Sequence, residues 1–81
     1  MDTIYVSGTG CSHCTTVIRF MNSHPSLAQK VSVRDIEADD GALRDWTALG
    51  IRARPVAIID GQVVKGDMPI ISAVRMKYGV R

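Results

Sequence analysis

The stretch "RPVAIIDGQVVKGD", residues 54–67, predicts two short strands joined by a tight turn. Its apolar run 56–59 is unbroken, which is typical of a strand covered on both faces of a sheet. Asp60-Gly61 is the two-residue signal for a tight hairpin, and residues 62–65 supply the returning strand. The segment therefore predicts an antiparallel strand pair whose first member lies inside a sheet.

Upstream of this hairpin, the pattern predicts two strands around a helix. The apolar run 4–6 leads into a polar, glycine-rich loop at residues 7–10. A helical period then begins at Cys11 and ends before Pro25, because proline cannot continue a helix. Residues 31–35 show the alternation of a second strand. The apolar face of the helix is predicted to carry Cys14, Val17, Ile18 and Met21.

Two more helices follow from capping signals. Asp39-Asp40-Gly41 offers an N-cap to a helix that ends at Gly50, and Asp67 can cap a last helix that ends at Gly79. The predicted core-facing side chains are Leu43 and Trp46 in the first of these helices, and Ile70, Ile71, Val74 and Tyr78 in the second.

The predicted order is therefore β-α-β-α-β-β-α, within one domain spanning residues 1–81. Residues 3–35 form a right-handed parallel unit, and the hairpin adds an antiparallel pair. The fold class predicted is α/β, with a small mixed four-stranded sheet flanked by three helices.

Composition narrows the classes of function. Net charge is +2, and seven Arg and three Lys are spread along the chain without a basic block, so we expect no nucleic-acid partner. The chain shows neither a long apolar tract nor a signal-peptide pattern, so we expect a soluble, cytoplasmic monomer without a membrane partner. Two cysteines are too few for a disulfide scaffold, and a Cys-x-x-Cys in such a chain points to redox or metal chemistry.

The cysteines lie in "GTGCSHC", residues 8–14, where the loop meets the first helix. Free N–H groups and the positive end of the helix dipole favour an anion there, so the pKa of the Cys11 thiol should fall below the free value of about 8.5. Cys14 lies one turn later on the apolar face, close enough to attack a mixed disulfide. We therefore expect Cys11 to be the attacking cysteine and Cys14 to be the resolving one.

His13 lies between the two cysteines, and two interpretations of it stay open. An imidazole near the sulfurs can donate to the thiolate or, when charged, stabilise it. Either effect would stabilise the reduced form and make the pair more oxidising. The alternative is a solvated histidine on the outer face of the helix.

These features together resemble the thioredoxin-like superfamily, and in length and spacing the small glutaredoxins and glutaredoxin-like redoxins. The resemblance covers nearly the whole chain, from the first strand and "CSHC" to "RPVAIIDGQVVKGD" and the last helix. It implies a thiol–disulfide oxidoreductase that reduces protein or glutathione mixed disulfides, for example as electron donor to a ribonucleotide reductase. It implies no bound cofactor, and either glutathione or a thioredoxin-reductase-like enzyme as the source of electrons.

The resemblance also assigns substrate-binding residues. In the family a cis-proline lies beside the active site, and Pro55 matches it. Arg54 takes the place whose backbone pairs with an extended substrate, although it also fits an ordinary surface arginine. Gly66 and Asp67 resemble the end of a segment whose acidic residue meets the amino group of glutathione, although a plain N-cap explains Asp67 as well.

Ser12 and His13 replace the usual proline and aromatic residue between the cysteines, and no lysine stands just before the motif. The loop also resembles the Cu(I)-binding loop of heavy-metal-associated domains, since soft thiolates suit Cu(I), and Cu(I) or Zn binding is the alternative function. Thr9 replaces the methionine usual in that loop, and the chain ends on a helical pattern where those domains end on a strand. We therefore expect no metal site. A third alternative is a redox-inactive domain that only binds a partner.

Overall fold

The computed structural model describes all residues, 1–81, and has the α/β architecture that the pattern predicts. It contains a four-stranded mixed sheet and three α-helices. A 3-10 helix at Pro25–Gln29, which the sequence reading did not include, links the first helix to the second strand. None of the three α-helices combines the length and the hydropathy that a bilayer crossing requires. In chain order the elements are β1 (Asp2–Val6), α1 (Ser12–Asn22), the 3-10 helix, β2 (Val31–Asp35), α2 (Asp40–Ala48), β3 (Val56–Ile59), β4 (Gln62–Lys65) and α3 (Asp67–Tyr78).

The strands lie in the order β2-β1-β3-β4. β1 pairs in parallel with β2, with Val6 opposite Asp35 at the end of both strands. β3 pairs antiparallel with both β1 and β4. The parallel unit and the hairpin are therefore both confirmed, and the two most apolar strands occupy the centre of the sheet.

The β3–β4 turn confirms the hairpin signal. Asp60 has a φ of 53° and Gly61 a φ of 76°. Two successive residues with positive φ are what a two-residue turn needs to match the twist of its strands. Aspartate tolerates this conformation better than most side chains, and glycine adopts it freely.

Side-chain alternation along the strands divides the interior into two clusters. Ile4 and Val6 of β1 face the larger cluster with helices α1 and α3, whereas Tyr5 faces the smaller one with α2. Cys14 belongs to the larger cluster and is fully buried. The fully buried residues at the centre of the larger cluster are Ile4, Cys14, Val17, Ala57, Ile70 and Val74.

Two expectations about the helices are wrong. Leu43 is 43% exposed, because α2 packs on the sheet through the small residue Ala42, which is fully buried. Trp46 does pack against the smaller cluster, as predicted, although it is half-buried, and its indole N–H donates to the Ala53 carbonyl at 3.0 Å. Asp67 is the first residue of α3 and not its N-cap, which is Gly66. The predicted N-cap region of α2 is confirmed, since the Asp39 carboxylate accepts the first N–H groups of that helix.

At the sheet end remote from the cysteines, the buried carboxylate of Asp2 joins three elements. It accepts hydrogen bonds from Lys77 Nζ at 2.6 Å, from the Tyr78 hydroxyl at 2.5 Å and from the Asp60 N–H at 3.1 Å. Burial alone raises the pKa of Asp2, but these hydrogen bonds outweigh burial and lower that pKa to about 2. The network ties the start of β1 to the hairpin turn and to the end of α3.

Candidate active site

Cys11 and Cys14 form a disulfide at the start of α1, with their Cα atoms 5.2 Å apart. Cys11 is the N-cap residue of this helix, with an extended backbone. Its sulfur accepts the Cys14 N–H at 3.2 Å, and its carbonyl accepts the Thr15 N–H at 3.1 Å. Sγ thus occupies the place where a serine or aspartate oxygen usually caps a helix. The Cys14 N–H and the helix dipole therefore favour negative charge on this sulfur when the disulfide is reduced.

The two sulfurs differ in their access to solvent. Cys11 is partly exposed, whereas Cys14 is 0% exposed within the apolar cluster beneath α1. The Cys14 sulfur accepts a hydrogen bond from the Ser7 N–H at 3.3 Å. An incoming disulfide can therefore reach Cys11, while Cys14 is shielded and can attack only its neighbour.

The segment Arg54–Pro55 lies beside the partly exposed sulfur of Cys11. Its peptide bond is cis, as the family resemblance implies, and Pro55 is fully buried. The Arg54 carbonyl oxygen lies 3.9 Å from Cys11 Sγ, and the Pro55 carbonyl accepts the Gly66 N–H at 3.1 Å. The fold therefore brings Cys11, Arg54, Pro55 and Gly66 to one edge of the sheet, with the Arg54 side chain exposed to solvent.

His13 and Asp67 form a pair that the sequence reading considered only as separate residues. The His13 Nδ1 lies 3.0 Å from Asp67 Oδ2, across the starts of α1 and α3. The His13 side chain is 71% exposed, whereas that of Asp67 is 21% exposed. The hydrogen bond to His13 is the main reason that the pKa of Asp67 is lowered. An effect of His13 on the thiols, and a role for Asp67 towards an ammonium group, stay predictions.

Polar residues that the sequence reading left without a function hold the loop before Cys11. The hydroxyls of Ser7 and Thr9 both donate to the Glu37 carboxylate, Thr9 at 2.5 Å. These two bonds, with that from Ser7 the larger cause, lower the pKa of Glu37. The Gly8 N–H donates to Asp35 Oδ1 at 3.2 Å. The sequence indicated only that residues after two neighbouring parallel strands lie near the same end of the sheet, and not which of their side chains would meet.

The chemistry open to this site is that of two sulfurs. The chain holds no cluster of three or more His, Cys, Asp or Glu side chains placed to share one metal ion. Neither a protein-family model nor a curated protein matches the chain. The features that bear on function are the disulfide, the different exposure of its two sulfurs, and the exposed backbone beside it.

Proposed function

We propose that this chain is a thiol–disulfide oxidoreductase of the glutaredoxin type, with a thioredoxin-like fold. The observation that carries the proposal is the Cys11–Cys14 disulfide at a helix start, with one sulfur accessible and the other buried. The cis-proline beside Cys11 and the β2-β1-β3-β4 sheet support the same family assignment. A monomer acting in the cytoplasm belongs to the same proposal.

The reaction begins from the reduced dithiol. The Cys11 thiolate attacks one sulfur of the substrate disulfide, so a new S–S bond forms and the other substrate sulfur leaves as a thiolate. Cys14 then attacks Cys11 Sγ, which breaks the mixed disulfide and releases the second substrate thiolate. Two electrons have passed to the substrate, and the Cys11–Cys14 disulfide is restored. Glutathione or a reductase of the thioredoxin-reductase class returns the pair to the dithiol.

The substrate class proposed is a protein disulfide or a glutathione mixed disulfide. An extended segment can lie along Arg54, whose carbonyl is next to Cys11 and whose charged side chain faces solvent. A glutathione ammonium would have to share the Asp67 carboxylate with His13, which already contacts it. The exposed backbone next to the accessible sulfur can pair with an extended segment of a protein substrate. An electron-accepting enzyme such as ribonucleotide reductase is one example of such a substrate.

The alternative function, binding of Cu(I), would use the same two cysteines. A metal held by both thiolates must reach both sulfurs. Cys14 is fully buried under α1 and accepts the Ser7 N–H, so Cu(I) could bind only after the helix start rearranges. The first step of disulfide exchange needs access to Cys11 alone. In the structure Cys11 is the accessible sulfur and Cys14 is the buried one.

The test compares Cys11→Ser and Cys14→Ser with the wild type in the reduction of a protein disulfide by dithiothreitol. Cys11→Ser should abolish the catalysis, because no nucleophile remains accessible. Cys14→Ser, reduced and then freed of dithiothreitol before it meets the substrate, should instead accumulate a mixed disulfide, visible as added mass, because attack survives and resolution does not. Ser12→Ala is the matched control and should keep full activity, since its side chain is exposed. Equal activity of wild type and Cys11→Ser, or tight one-to-one Cu(I) binding without reductase activity, would overturn the proposal.

A further inference from the structure

Ser7 occupies a junction beneath the active site. It is 2% exposed, and its N–H is directed at the buried Cys14 sulfur at 3.3 Å. Burial in an apolar cluster disfavours a thiolate, whereas an N–H hydrogen bond favours one. The Ser7 N–H, while it points at the Cys14 sulfur, therefore helps Cys14 to become the thiolate that the resolving step requires.

The side chain of Ser7 is held from another strand. Its hydroxyl lies within hydrogen-bonding distance of the Glu37 carboxylate and 3.1 Å from the Thr9 carbonyl oxygen. A hydroxyl has one proton, and the ionised carboxylate is the stronger acceptor of the two. The second Glu37 oxygen accepts the Thr9 hydroxyl at 2.5 Å. One carboxylate thus holds both ends of the segment 7–9.

A second carboxylate holds the middle of the same segment. Asp35 Oδ1 accepts the N–H groups of Gly8 at 3.2 Å and of Glu37 at 2.9 Å. A Cβ on Gly8 would lie 2.3 Å from Asp35 Oδ2, so a side chain at position 8 would force the Asp35 carboxylate to move away from this segment. The loop before Cys11 is therefore built around two acidic residues, Asp35 at the end of the parallel partner strand and Glu37 just after it.

We infer that Glu37 is a positioning residue for the resolving cysteine, acting through Ser7. This inference rests on the proposed function, since it concerns the second of the two exchange steps. In that step the Cys14 thiolate attacks Cys11 Sγ, the Cys11–substrate bond breaks, and the substrate sulfur leaves with the electron pair. Glu37 holds the segment 7–9 so that the Ser7 N–H stays on the Cys14 sulfur while that thiolate forms.

The ionised state of Glu37 is part of this role. A carboxylate only accepts hydrogen bonds, so it can receive the hydroxyls of Ser7 and Thr9 together. A glutamine has one accepting oxygen and would turn an NH₂ group towards the other hydroxyl. Glu37→Gln should therefore loosen the segment partly, and Glu37→Ala should loosen it fully.

The probe is the aromatic disulfide 5,5′-dithiobis(2-nitrobenzoate), mixed with reduced protein in a stopped-flow instrument. Attack by Cys11 releases one coloured thiolate, and attack by Cys14 on the mixed disulfide releases a second. In Glu37→Ala we expect the first release to stay within about twofold of wild type and the second to slow about tenfold, the loss of about one hydrogen bond to a thiolate. The pH at which the second release reaches half of its maximal rate should also rise, because the Cys14 thiolate would lose the support of the Ser7 N–H. Glu37→Gln and Thr9→Val should show smaller changes in the same direction, and they serve if Glu37→Ala does not fold.

Asp40→Asn is the matched control, because Asp40 is an exposed carboxylate in the first turn of α2 that makes no hydrogen bond to the segment 7–9. If both thiolate releases keep the wild-type rate and pH dependence in all Glu37 and Thr9 variants, the inference is overturned and the proposed function stays intact. Equal slowing of both releases would also overturn it, because the carboxylate would then support the whole loop and not the resolving step. Failure of the wild type to release the second thiolate would instead overturn the proposed function.

Discussion

Asp2→Asn is the change whose consequence can be worked out most directly from the structure. The Asp2 side chain is 9% exposed and accepts hydrogen bonds from Lys77, Tyr78 and the N–H of Asp60. Asparagine keeps the shape and one accepting oxygen, but it removes the charge that pairs with Lys77. Because these contacts join residues at the two ends of the chain, their loss should lower the free energy of unfolding.

The magnitude follows from the lowered pKa of Asp2. A fall from 3.8 to about 2 corresponds to about 2.5 kcal/mol at about 1.4 kcal/mol per pH unit. A group whose folded-state pKa is lowered contributes stability that is present above its unfolded pKa and is lost as pH falls through its folded pKa. The contribution should therefore be complete above about pH 4 and disappear as pH falls towards 2. At neutral pH the melting temperature of Asp2→Asn should fall by about 10–20 °C.

The assay is urea denaturation of wild type and Asp2→Asn at several pH values between 7 and 2, followed by circular dichroism. The gap between the two unfolding free energies should be constant at neutral pH and should close in acid. Asp45→Asn is the control: its carboxylate pairs with Arg34 at 2.6 Å but is 58% exposed, so its loss should cost less than about 1 kcal/mol. Equal stability of wild type and Asp2→Asn at neutral pH, or a gap that persists unchanged to pH 2, would refute the reasoning.

Two further predictions concern charges around the Cys11 sulfur. Asp67→Asn removes a negative charge at the helix starts and frees His13, so it should lower the pKa of the Cys11 thiol and make the potential less negative. His13→Phe leaves Asp67 unpaired and should shift the potential the opposite way; redox titration against a reference couple measures both, and shifts of the same sign would contradict the argument. Arg54→Ala should raise KM for an acidic disulfide peptide severalfold at low salt and less at high salt, because exposed charges are screened. The exposed Arg44, on α2, provides the matched control, Arg44→Ala, and an equal effect there would show only a general charge effect.

The local features of the fold were predictable because each depends on neighbouring residues. The Asp60-Gly61 turn follows from two residues that accept positive φ, and the unbroken run 56–59 follows from burial on both faces. Cys11 at the helix start follows from a change of period at that residue. Leu43 was misplaced because helical spacing does not say how far around α2 the sheet reaches, and α2 contacts the sheet through Ala42.

The sequence by itself determined the strands, the hairpin, the helix starts and a pair of cysteines in redox spacing, since these depend on residues within a few positions of one another. Only the tertiary structure decided which distant polar groups meet. It placed Glu37 on the hydroxyls of Ser7 and Thr9, and it gave His13 the carboxylate of Asp67 as a partner, 54 positions along the chain. Such contacts depend on strand register and on helix packing across the sheet. Neither the hydrophobic period nor the turn residues specify which side chains this register and packing bring together.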